Sequence, residues 1–275
     1  MKRFLAIRLY VAIFLLAAFA SGCAQKKVTI EKSAAIAAAE RLEHRAGNAY
    51  AKGDAIGAAK DFQMAGQVYE SLAMTDAAAA IQLSLARIDS DEGRIKEALQ
   101  RVESVTALAA QAGVIGASTA LLANGRAAAL YLQQQNNVAA DRSLSAAERL
   151  CAGACEASSA LLTLRANWFL AAGDATNAKA KATSGLTQSQ NPNDKANALR
   201  SLAESGLALN QLPQATNDAE QALQIDQTQG SSLRVIADLK LLALIHAKAG
   251  NTDKSRAYAE LGQTASLARS QLISK

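Results

Sequence analysis

Six times between Gly53 and Gly250, at intervals of 40, 43, 37, 37 and 40 residues, a glycine or asparagine breaks an otherwise helix-forming stretch. The six are Gly53, Gly93, Asn136, Gly173, Asn210 and Gly250. Glycine and asparagine enter the left-handed backbone region most cheaply, so they end helices at the residue past the cap. They are only 28 of the 275 residues, which makes a near-regular series hard to obtain by chance. The spacing predicts six antiparallel helical hairpins, or twelve helices, with a period near 39 residues. Asp54, Asn137, Asp174 and Asn251 follow directly and can cap the returning helices. Pro213 falls where a helix has just begun and is tolerated there.

Small residues flank every turn. Six or seven positions before it stand Gly47, Ala86, Ala129, Ala166, Ala203 and Ala243. Four or five after it stand Ala58, Ala98, Ala140, Ala178, Ala215 and Ser255. Small side chains facing each other across a tight turn let two helix axes approach closely. Larger apolar residues at helical spacing, such as Phe62, Tyr69, Leu83, Ile88, Leu202 and Leu207, then fill the grooves between hairpins. A single hairpin leaves one apolar face uncovered, so the hairpins must stack.

These residues carry a family resemblance. Gly47 through Asp54, followed by Ala58, Phe62 and Ala65, resembles a tetratricopeptide repeat with one residue deleted before the turn. Ala203 through Asn210, with Ala215, Ala219, Ala222 and Leu223, is a second match, and the resemblance spans roughly residues 31–270. The pattern departs from the family where Asp89, Gly206 and His246 replace a large apolar residue before the turn. Its period also exceeds the usual 34 residues. The resemblance implies an all-α, right-handed superhelical α-solenoid whose last helix is polar enough to cap the stack.

The N-terminal stretch reads as an address. Residues 1–22 hold Lys2, Arg3 and Arg8, an uncharged run from Leu9 to Ala20, and a small-residue end. That run is too short to span a bilayer and has the layout of an export signal. Ala20-Ser21-Gly22-Cys23 resembles a bacterial lipobox, which implies that Cys23 becomes an acylated N-terminus. Ala18-Phe19-Ala20 also fits an ordinary signal peptidase. Residues 23–30 then form an acylated terminus and short linker, and 31–275 the repeat domain. In a Gram-negative host, Ala24 after the cysteine implies the periplasmic face of the outer membrane, with the lipid as anchor.

Removing the leader lowers the formal charge from +5 to +2 and takes four of the 11 aromatic residues. Neither a basic footprint nor a base-stacking platform is left, which excludes nucleic acid as the expected partner. Cys151 and Cys155 remain as an even pair in an oxidising compartment, on either side of Gly153. A disulfide pinning this turn leads there, with free thiols, a metal site or a redox pair as alternatives. No additional Cys and no nearby His completes a zinc set.

No catalytic motif, cofactor loop or metal set occurs, and the chain reads as a non-enzyme. His44 and His246 fall in the first and last hairpins, too far apart to share a site. Asp89, Asp91 and Glu92 read as a solvated helix end. In the family, the first helix of each hairpin lines a concave groove. That implies two places per repeat: His44, Leu83, Arg126, Thr163, Arg200 and Lys240, and then Asn48, Arg87, Leu130, Asn167, Glu204 and Leu244. The set is mainly basic and amide-bearing, suited to carboxylates or a peptide backbone. These residues are equally the ordinary polar faces of helices. The expected function is a scaffold in envelope assembly, binding an envelope protein or peptide segment in the groove. The alternative uses the same groove for peptidoglycan or another glycan, or to regulate a cell-wall enzyme.

Overall fold

Helices alternate with connections of three to seven residues throughout the computed structural model, which describes residues 33–152 and 155–273. The export leader, Cys23 and residues 23–30 lie outside the described residues. Twelve helices are described, with no strand among the described residues: α1 (Ala34–Ala51), α2 (Ala55–Ser71), α3 (Thr75–Asp91), α4 (Ile95–Ala109), α5 (Ala117–Gln133) and α6 (Asn137–Cys151). Then follow α7 (Ser158–Ala171), α8 (Ala175–Gln188), α9 (Pro192–Ala208), α10 (Leu212–Thr228), α11 (Ser232–Lys248) and α12 (Thr252–Ile273). They pair as six hairpins, α1–α2 through α11–α12. From Ala35 onward they form one compact unit.

Each hairpin turn repeats one hydrogen-bond pattern. The amide of a left-handed residue and the next amide reach back to the closing carbonyls of the first helix, as Gly53 to Tyr50 and Asp54 to Ala49 do, both at 3.0 Å. This satisfies orphan carbonyls at the helix end. Five of the six expected turn residues take the left-handed conformation. In the third hairpin Gln135 takes it instead (φ 59°), and Asn136 caps α6 by accepting from the Ala139 amide at 3.1 Å. Asn137, expected to cap, is the first residue of α6.

The one-residue shift restores a stricter register. Seven positions before the left-handed residue of each hairpin turn stand Ala46, Ala86, Ala128, Ala166, Ala203 and Ala243, all buried. Five positions after it stand Ala58, Ala98, Ala140, Ala178, Ala215 and Ser255. Ser255 Oγ donates to the Ala243 carbonyl at 2.9 Å, so the two rows do face each other. Gly47 and Ala129 are therefore not the close-approach residues, and no residue is deleted in the first repeat; Gly47 is exposed.

First helices stack on first helices (α3 on α5, α5 on α7, α7 on α9, α9 on α11), forming an inner layer. The second helices lie outside and touch the inner helices on either side. The apolar core is a chain of five clusters, each shared by neighbouring helices, from the Tyr69–Ile81 group to the Leu242–Ile245 group. This is the one-dimensional packing of an α-solenoid. Cys151 and Cys155 are disulfide-bonded at the end of the third hairpin. No described helix is long and apolar enough to cross a membrane.

Candidate functional site

The superhelix winds far enough to bring its ends together. Arg269 of α12 donates to the Asp91 carbonyl at 3.2 Å and to Glu92 at 3.0 Å, joining the last helix to the end of α3. Between these ends lies a cavity of about 510 Å³. Tyr50, Phe62, Arg87, Asp91 and Arg126 line it from the first three hairpins, and Asn193, Ser231, Leu233, Arg234 and Arg269 from the last two.

Local structure places each group. Arg87 and Arg126 sit on the cavity side of the inner helices α3 and α5. Arg234 is in the first turn of α11, which starts after the left-handed Gly230. The Arg87 guanidinium lies over the Tyr50 ring, 4.9 Å from its centroid, while the Tyr50 hydroxyl bonds Asp91. Arg126 donates to the Leu83 carbonyl. Arg234 donates to Asn193 Oδ1 at 2.7 Å, with Asp226 3.8 Å away. Arg87 and Arg126 hold no salt bridge among the described residues.

Burial disfavours charge here. Burial, with the neighbouring Arg87 charge adding to it, pushes Arg126 down to about 10. Burial likewise lowers Arg87 and Arg234 and raises Asp91. Arg87 keeps substantial surface area open, but the concave walls around it displace much of the bulk water that would stabilise its charge.

Of the predicted groove residues, the structure brings Arg87 and Arg126 together at the cavity. His44 and Asn48 are exposed and bonded to each other at 3.2 Å. Lys240 and Leu244 are exposed on α11. Asn167 is half-buried and accepts from Ser201 at 2.6 Å. Glu204 is half-buried, and burial raises its pKa.

Leu83, Leu130 and Thr163 are corrections. All three are buried, and Thr163 donates to the Ser159 carbonyl at 3.0 Å, so none is open to a partner. Arg200 is a fourth. Its Nε bonds Asp238 at 2.6 Å and its Nη2 bonds Asp226, both carboxylates being 0% exposed. It is an internal tie between α9, α10 and α11.

Asp89, expected at a solvated helix end, is buried and accepts from Arg94 and Arg101 at 2.8–2.9 Å. Asp91 and Glu92 are half-buried as well. His246 is buried and stacks on Tyr258 at 5.4 Å, with neither ring nitrogen hydrogen-bonded. Among the described residues, no group of three or more His, Cys, Asp or Glu could hold a metal ion.

Sequence reasoning missed Tyr50, Asn193, Arg234 and Arg269. Arg234 left one local sign: a base in a helix's first turn, where the macrodipole favours an acid. Arg269 left none, because its contact depends on the superhelical winding.

The fold is that of a tetratricopeptide-like α-solenoid. No protein-family model and no curated protein sequence matches the chain. Solved structures match its shape. BtubC (BKLC) from P. vanneervenii superposes with a TM-score of 0.52 at 18% identity, over 86% of this chain and 92% of that one. A signal-transduction ATPase with numerous domains and a tetratricopeptide-repeat sensor, from Pyrococcus horikoshii, gives 0.58 at 12% identity. That match covers 85% of this chain but 34% of the ATPase. Kinesin light chain TPR-like repeats from Podospora anserina give 0.52 at 18% identity, over 73% of this chain and all of that one.

Proposed function

We propose that this protein is a non-catalytic scaffold that holds an extended or helical segment of an envelope protein against its inner helices. In this reading a lipid on Cys23 tethers it to the periplasmic face of the outer membrane. One observation carries the scaffold role. Six positions before the left-handed residue of each hairpin turn, the inner helices bear Gly47, Arg87, Ala129, Asn167, Glu204 and Leu244. Gly47 and Arg87 line the cavity, none of the six is buried, and Leu244 is 60% exposed. A row of unlike, accessible side chains on the inner face of a solenoid suits a partner segment running along it. The leader and its small-residue boundary at Cys23 support the tether.

An ultraviolet-activated crosslinking side chain at Leu244 tests the scaffold in cells, with Lys181 on the outer α8 as reference. The expected result is a protein adduct from position 244 that is absent from position 181. The same adduct from both positions would overturn the reading. Co-sedimentation with purified sacculi, with no protein adduct, would favour the glycan reading instead. Cys23→Ala should release the protein from the membrane fraction; retention with an uncleaved leader would refute the tether.

A further inference from the structure

The geometry points to a second site, which shares Gly47 and Arg87 with the partner-binding row but does not include Leu244: the cavity joining the two ends of the solenoid binds a small organic oxyanion, a phosphate ester or a carboxylate, with an apolar body. Charge is the first reason. Arg87, Arg126, Arg234 and Arg269 line the cavity against only Asp91 and Glu92. Glu92 is engaged by Arg269, and Asp91 accepts the Tyr50 hydroxyl. Arg87 is left with an aromatic face and Arg126 with a backbone carbonyl. Like charges held together in a partly desolvated recess are unfavourable without a counter-charge. Asp91 compensates Arg126 in part, and no described carboxylate pairs directly with Arg87 or Arg126. An oxyanion between them would, with the planar forks offering paired N–H donors.

The start of α11 is the second reason, and it is independent of the first. Ser231, Ser232 and Leu233 line the same cavity. The first turn of α11 contains no acid, and Ser231 makes no side-chain cap. Its leading N–H groups and the positive end of its dipole therefore add to the arginines rather than being neutralised by the chain. Arg234 sits in that same turn, with Asp226 as a counter-charge 3.8 Å away.

Size and walls define the rest of the ligand. A volume of about 510 Å³ falls within the range of small-molecule sites. Tyr50, Phe62, Ile88 and Leu233 supply apolar surface beside the guanidinium groups. The arginines come from hairpins two, three and six, so a bound anion would clamp the ends of the array, beside the Arg269–Glu92 contact.

The test uses the full chain in detergent, with phenyl phosphate, phthalate and inorganic phosphate as probes and sodium chloride at matched ionic strength as control. Calorimetric binding should accompany a rise in thermal midpoint of about 5 °C or more at a hundredfold excess over Kd. A larger effect of phenyl phosphate identifies a phosphate ester, and a larger effect of phthalate identifies a carboxylate. Arg87→Gln with Arg126→Gln should weaken binding at least about tenfold and leave the unliganded midpoint unchanged or higher. Ser232→Asp, which supplies an internal counter-charge, should raise the unliganded midpoint and abolish the ligand shift. Shifts no larger than with chloride, or equal shifts in the double variant, would overturn the proposal. The crosslink from position 244 reports the partner site separately, so either reading can fail alone.

Discussion

Replacing Arg200 by methionine removes the guanidinium that bonds both Asp226 and Asp238. The two carboxylates come from α10 and α11, and each is 0% exposed. Even with Arg200 in place, burial pushes Asp238 up to about 6, with the Asp226 charge contributing. Stripping one partner from a buried ion pair costs about 3–5 kcal/mol, because the other charge stays desolvated. Against a typical folding stability of about 5–15 kcal/mol this is a large fraction. At an ordinary urea dependence the midpoint should fall by about 2 M.

The loss should depend on pH. A carboxyl held above its ordinary value of 3.8 stabilises the fold only while protonated. Asp238's contribution is thus complete below 3.8 and lost as pH rises through about 6. Without Arg200 the protonated form is favoured further, so the deficit should be greatest near about pH 8 and shrink near about pH 5. Urea unfolding followed by far-ultraviolet circular dichroism at both pH values measures it, with exposed Lys240→Met as reference. A deficit below about 1 kcal/mol at the higher pH, or an equal deficit at both, would refute the assignment of Arg200 as an internal tie.

His246→Phe should raise stability by about 1 kcal/mol, since it keeps the ring stacked on Tyr258 and removes two buried nitrogens that lack partners. A lowered denaturation midpoint would mean that those nitrogens are satisfied in solution. Reducing Cys151–Cys155 should cost about 2 kcal/mol, the loop-closure value for so short a ring. Denaturant midpoints with and without reductant measure this, and equal midpoints would show that the turn holds its shape without the bond.

The hairpins were legible because their cause is local. A left-handed residue with small side chains seven positions before it and five after leaves its mark in sequence, whatever the rest of the chain does. The one-residue slips in the first and third hairpins have the same origin. Gly47 and Asn136 have the expected residue types, but Ala46 and Gln135 occupy the positions that packing and hydrogen bonding select. The groove was harder to read. Arg87 and Arg200 look alike in sequence, yet one faces the cavity and the other is tied to Asp226 and Asp238, 26 and 38 residues away.

Residue chemistry alone determined that this chain makes stacked helical hairpins, because helix stops and close-packing alanines act within a few residues of themselves. How far the stack winds is the sum of small rotations at each hairpin interface, set by side-chain packing across distant parts of the chain. Only the tertiary structure therefore decided that α12 returns to α3, and that four arginines from three hairpins surround one cavity.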